Sequence, residues 1–200
     1  IISLKISRKK FFYIKNNLAS LINAVYRTKP NFHELKTKKT ILLSDYNPIL
    51  YEELLQSLSN SKCNVFLLNQ RRPAIWNYHS LQIMKKSKCK IIGLNDFSNK
   101  EIKLKVQKEV DNIKIQLKNV WSDENLFTEI FHIKNYSFWN AIKENFTNLI
   151  TTRAIESVER FILLNELFKN LDISCILEWA HVGSEDKMII SIANKRKIPS

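Results

Sequence analysis

Apolar residues along this chain fall into two alternating rhythms. Short apolar runs with few breakers occur at Thr40–Ser44, Asn64–Leu68, Lys90–Leu94 and Ile173–Glu178. Each is too short for a helix of that hydrophobicity and ends in polar residues, as strands buried on both faces do. Between the first three runs lie stretches with helical spacing. Ile49 to Ser61 sets Leu50, Leu54, Leu55 and Leu58 on one face, and Tyr78 to Ser87 forms the next helix. A final stretch places Met188, Ile189, Ile192 and Ala193 on one face, behind the acids Glu185 and Asp186 and ahead of the cations Lys195, Arg196 and Lys197. Acids at a helix start and cations at its end complement the backbone dipole, and Ser184 is the expected N-cap. Ile198-Pro199-Ser200 then has the pattern of another strand beginning.

Strands alternating with helices predict an α/β chain, a Rossmann-like parallel sheet of about four or five strands. The region 98–171 interrupts this rhythm and contains no convincing strand. Residues 100–118 make a Lys-rich helix, and 123–132 a short one. The stretch 136–171 carries two apolar stripes, separated at Thr151-Thr152-Arg153, where a kink or break is expected. This is a helical insertion between the third and fourth strands. Ahead of the sheet, residues 8–27 set Phe11, Ile14, Leu18, Leu21, Ile22 and Val25 at helical spacing among Arg8, Lys9, Lys10 and Lys15, up to Lys29-Pro30. The expected organisation is a basic amphipathic helix and linker over 1–39, then a Rossmann-like domain over 40–200 carrying the insertion. With no Met at residue 1 and a strand opening at residue 200, the chain is expected to be a fragment of a longer two-domain protein.

Charge sharpens this division. The net charge is +13, and residues 1–40 hold ten Lys or Arg against one acid, Glu34, a net of +9. A basic helix with an apolar face suits an anionic membrane surface. The competing reading is a helix packed on its own domain. Because the charge excess is confined to one end and no nucleic-acid motif is present, a nucleic-acid partner is disfavoured. Cys63, Cys89 and Cys175 are scattered and odd in number, as core residues of a reduced compartment are.

Parallel sheets bind ligands beyond the carboxyl ends of their strands. The loops there are Asp45–Pro48, Asn69–Trp76, Asn95–Ser98 and His181–Asp186. Arg71 and Arg72 follow the second strand, where guanidiniums suit a phosphate or carboxylate. Trp76 suits stacking on a sugar or base, or plugging the core. His181 has the pKa range of a general base, Glu185 sits at a helix N-terminus, and Glu178 ends an apolar strand, where burial demands a partner. Arg153, Glu156 and Arg160 share one helical face and read as a solvated ion-pair surface. With only Gly93 and Gly183, the chain has no phosphate-cradling glycine loop. Its four isolated histidines make no metal site.

Two phrases carry a family resemblance. Leu67-Leu68-Asn69-Gln70-Arg71-Arg72-Pro73-Ala74-Ile75-Trp76-Asn77, and Glu185 followed by Ala193-Asn194-Lys195-Arg196-Lys197-Ile198-Pro199-Ser200, resemble the N-terminal half of two-Rossmann-domain (GT-B) glycosyltransferases of surface and capsule polysaccharide synthesis. The resemblance covers residues 40–95 and 172–200. In that family a Gln-His-Gly segment follows the last phrase. The resemblance implies an acceptor-side domain, with Asn69, Arg71, Arg72, Trp76 and Glu178 as substrate-binding residues and His181, Glu185 or Asp96 as the base. It implies no cofactor or metal. A nucleotide sugar is the donor, held mostly by a second domain, and a glycan or lipid-linked molecule is the acceptor. It also implies a cytoplasmic protein at the inner face of the membrane. The rival classes are a non-catalytic Rossmann-like binding module and half of a sugar-nucleotide epimerase.

Overall fold

The computed structural model describes residues 8–26, 38–70, 73–179 and 183–200. The expectations for Arg71, Arg72 and His181 lie outside the described residues. The first compact unit comprises Ile1–Phe97 and Asn165–Ser200, the second Ser98–Leu164.

In the first unit, strands β1 (Thr40–Ser44), β2 (Asn64–Leu68), β3 (Lys90–Ile92) and β6 (Ile173–Glu178) form one sheet in the order β3-β2-β1-β6. All three pairings are parallel. The α/β class expected from the alternating pattern is therefore the observed one, with four strands. The third strand is shorter than its apolar run. After Ile92 the chain turns into a 3-10 helix, Leu94–Phe97, because Asp96 Oδ2 accepts the Gly93 N–H at 2.8 Å and curls the backbone.

Side chains alternate across the sheet, so each face has its own core. One face sets Leu43, Val65, Leu67 and Ile91 against Leu55 of α2 (Glu52–Ser59) and Ile83 and Met84 of α3 (Tyr78–Ser87). Ile22 of α1 (Arg8–Tyr26) packs against this same cluster. On the other parity, Leu42, Phe66, Leu68, Ile92 and Ile176 are buried as well. The last helix, α7 (Ser184–Lys195), buries Ile189, Ile192 and Ala193, and Arg196 beyond it donates to the Phe168 carbonyl at 2.9 Å. A sheet covered on both faces is what near-continuous apolar strands require. Pro199 does not extend the sheet as a regular strand, but its carbonyl accepts the Ile176 N–H at 2.9 Å, so the segment runs beside β6.

The second unit contains α4 (Lys100–Trp121), α5 (Glu124–Ile130), a two-residue-strand hairpin (β4 His132–Ile133, β5 Tyr136–Ser137) and most of α6 (Trp139–Asn170). Two expectations are corrected here. A small antiparallel hairpin exists where no strand was expected. The break at Thr151-Thr152-Arg153 is absent, and α6 runs unbroken for 32 residues. Helices kink at Pro, at Gly or where the ladder is interrupted, and this segment has no such residue. Two threonines lower helix propensity only slightly, and Thr151 Oγ1 accepts the Trp121 Nε1–H at 3.3 Å from across the unit. The centre of the unit is aromatic. Trp139, 1% exposed, is stacked on Phe127 at 4.7 Å and on Phe131 at 5.3 Å.

Candidate functional site

Strand order creates the site. The chain builds β1, β2 and β3 outward in one direction, then returns to add β6 on the other side of β1. The carboxyl ends of β1 and β6 are therefore the topological switch point, the usual ligand position in open parallel sheets.

Ser44 ends β1, in register with Leu68 of β2 and Glu178 of β6. Parallel register partners point to one side, so Ser44 and Glu178 face the same side of the switch point. Ser44 is 1% exposed, and its hydroxyl makes no hydrogen bond. Asp45 follows in the left-handed region, with φ of 55°. Aspartate is among the few residues that tolerate this conformation. There its N–H donates to the Leu68 carbonyl at 3.1 Å, and its Oδ1 accepts the Gln70 N–H at 2.8 Å. Asn69 adds a third tie, donating from Nδ2 to the Tyr46 carbonyl at 2.9 Å. The loops after β1 and β2 are thus bonded to each other. Two of their atoms, Asn69 Oδ1 and Gln70 Nε2, are buried without a hydrogen-bond partner. Buried polar atoms are nearly always bonded; three at this end are not, and three more, Thr40 Oγ1, Ser61 Oγ and Asn64 Nδ2, lie at the amino ends of the same strands.

Tyr46 adds a donor. Burial first, then the neighbouring Tyr51, Cys175 and Glu178, push its phenol above the ordinary value. It stays protonated at neutral pH, as a hydroxyl donor rather than a base. Its ring meets Tyr51 edge-on at 4.8 Å. An open depression lined by Ile49, Tyr51, Glu52, Glu53 and Gln56 lies just beyond, at the start of α2. Its two acids suit neutral hydroxyls better than a phosphate.

The far end of the β2–α3 loop is equally fixed. Ser80 Oγ accepts the N–H groups of Trp76 and Asn77 at 3.0 and 3.1 Å, and Asn77 Oδ1 accepts that of Ser80 at 2.8 Å, a capping box. Asn23 of α1 clamps Ile75 through both of its backbone polar groups. Ala74 and Ile75 fill the core, and the Trp76 residue is 38% exposed. Trp76 is therefore not a core plug.

The remaining sequence candidates divide by edge. Glu178 ends β6, and Glu185 opens α7, half-buried, with the Ser184 hydroxyl 3.5 Å from its carboxylate. Asp96 lies beyond β3, at the opposite edge. Strands about 4.8 Å apart put roughly 14 Å between those edges. Glu178 and Glu185 thus share the β6 side, Asn69 and Trp76 follow β2, and Asp96 stands apart with one oxygen capping Gly93. The N-cap of α7 is also not the expected Ser184 but Gly183, whose N–H donates to the buried Asp186 at 3.0 Å. Asp186 is consumed in holding that turn. Arg153 pairs with Glu156 at 3.0 Å on an exposed face, and Cys63, Cys89 and Cys175 are all free.

Sequence reasoning placed the Asp45–Pro48 loop on the ligand side but chose no residue from it, and it did not consider Ser44, the strand end. The available signal was that this turn leaves the carboxyl end of a strand, where parallel sheets bind ligands. Among the described residues, no group of three His, Cys, Asp or Glu is placed to hold a metal, and no helix is long and apolar enough to cross a membrane. No protein-family model, curated protein or solved structure matches the chain.

Proposed function

We propose that this chain is the acceptor-side domain of a glycosyltransferase, moving a sugar from a nucleotide sugar to a surface-glycan or lipid-linked acceptor. The observation that carries this reading is the set of unsatisfied buried atoms, Ser44 Oγ, Asn69 Oδ1 and Gln70 Nε2, beside the protonated Tyr46 phenol. Donors and acceptors mixed without a net charge fit a saccharide's hydroxyls better than a phosphate. The sequence likeness to the N-terminal half of two-Rossmann-domain transferases points the same way. In this reading a second domain supplies most of the contacts to the donor.

In the proposed mechanism, an acceptor hydroxyl lies across the switch point between β1 and β6. A loop carboxylate takes its proton as the oxygen attacks the donor's anomeric carbon. The new glycosidic bond forms as the bond to the departing nucleotide phosphate breaks, and the nucleotide leaves with the electron pair. Glu185 is the preferred base among the described residues, because it is half-buried on the β6 side. Asp96 is disfavoured by its distance and its capping bond. His181 is the other base of this reading, and Arg71 and Arg72 would hold negative charge on the donor.

The test is transfer of labelled sugar from nucleotide sugars to a lipid or glycan acceptor by the whole protein that carries this chain. The reading expects transfer, and a loss of about a hundredfold or more for Glu185→Gln or for an alanine at His181, whichever is the base. No transfer from any nucleotide sugar, or wild-type rates for both variants, would contradict it.

A further inference from the structure

The N-terminal helix has two sides, and among its described side chains only those of one side pack on the domain. Toward the domain, Ile22 packs against the core cluster and Asn23 grips the backbone of Ile75. The Lys85 ammonium lies over the Tyr26 ring, 5.8 Å from its centre. These contacts fix the rotation of α1 about its axis. They leave Ile14, Leu18, Leu21 and Val25 facing out, exposed by 54, 57, 63 and 76%. Their spacing of four, three and four residues makes one continuous stripe on a helix. Single exposed apolar residues need no explanation, but a contiguous apolar stripe marks an interaction surface.

Charge decides what covers it. The sequence of α1 holds Arg8, Lys9, Lys10 and Lys15 and no acid, within a segment of net charge +9 over residues 1–40. A second copy laid along the stripe would bring two such segments together and repel. An anionic bilayer is attracted by the cations and buries the stripe.

We propose that α1 is a membrane-surface anchor, lying flat in the headgroup layer of an anionic bilayer with Ile14, Leu18, Leu21 and Val25 buried in it. At 1.5 Å per residue the stripe from Ile14 to Val25 makes a contact line about 17 Å long. Through Asn23 and Ile75, the anchor is bonded to the loop that carries Asn69 and Trp76. The proposal thus deepens the glycosyltransferase reading. If that reading holds, the substrate loop is tied to the surface where a lipid-linked acceptor resides.

Co-sedimentation of the purified chain with vesicles tests the anchor without any turnover, so failure here leaves the transferase reading standing. The expected result is pelleting with vesicles of phosphatidylglycerol and phosphatidylcholine in equal parts, weakening as salt rises. Much less pelleting is expected with phosphatidylcholine alone. Leu18→Ser/Leu21→Ser removes apolar burial from exposed positions, so it should leave the melting temperature unchanged and weaken binding by about a hundredfold. Lys9→Glu/Lys10→Glu/Lys15→Glu keeps the stripe and should weaken binding at least as much as that. Equal partition onto neutral and anionic vesicles, no pelleting at low salt, or wild-type binding by both variants would overturn the proposal. So would a dimer in light scattering that Leu18→Ser/Leu21→Ser dissolves.

Discussion

Asp45 shows how much of the site rests on one backbone torsion. Its φ of 55° turns the chain so that its carboxylate meets the Gln70 N–H and its own N–H meets Leu68. Valine neither tolerates that region nor accepts the bond. Asp45→Val should therefore cost about 2 kcal/mol in urea unfolding, and Asp45→Asn, which keeps both properties, less than half of that. Equal losses would mean that the torsion is not what matters. The Cys89 thiol reports burial differently. Desolvation pushes its pKa from 9.0 to about 12. The unfolded chain ionises near the lower value and the folded chain near the higher. The thiol's contribution to stability is thus complete below pH 9.0 and is lost as pH climbs toward about 12. Cys89→Ala should unfold with a shallower pH dependence across that window, and an unchanged slope would contradict the assignment. Individual residues were unevenly legible in the sequence. Asn69, Trp76, Glu178 and Glu185 could be selected because each follows a strand or opens a helix. Ser44 and Tyr46 could not, since their value comes from an unmet hydrogen bond and from neighbours distant in sequence.

At the scale of elements, periodicity located most of the regular structure, because burial of one face writes itself into the spacing of apolar residues. It failed where a local signal was overruled by a distant one. Thr151-Thr152-Arg153 looks like a break, yet the helix continues, with Thr151 holding Trp121. A real break can be forced, since Thr152→Pro removes a ladder bond and should cost about 3 kcal/mol or more. Loss of less than half of that would indicate that α6 is already weak there. The hairpin of β4 and β5 was invisible because strands of two residues carry no period. The start of α3 gives a cleaner test. Asn77→Ala deletes one half of the capping box and should destabilise by about 1 kcal/mol. Because the same turn orients Trp76, ligand affinity should fall alongside stability.

For the whole molecule, the order β3-β2-β1-β6 is the decisive fact. The sequence implied a parallel sheet, because fully apolar strands alternating with amphipathic helices permit little else. It could not say on which side of β1 the last strand would insert, and that choice places the switch point. Strand pairing is set by long-range packing that no local pattern encodes. The account therefore stands on one claim, that the carboxyl edge between β1 and β6 binds a saccharide. Amide chemical-shift mapping of the isotope-labelled chain, titrated with neutral oligosaccharides, tests this directly. The account predicts shifts concentrated at Ser44, Asp45, Tyr46, Asn69, Gln70 and Glu178, and their loss in Asn69→Ala. Shifts confined to the amino ends of the strands, or none with any saccharide, would contradict it.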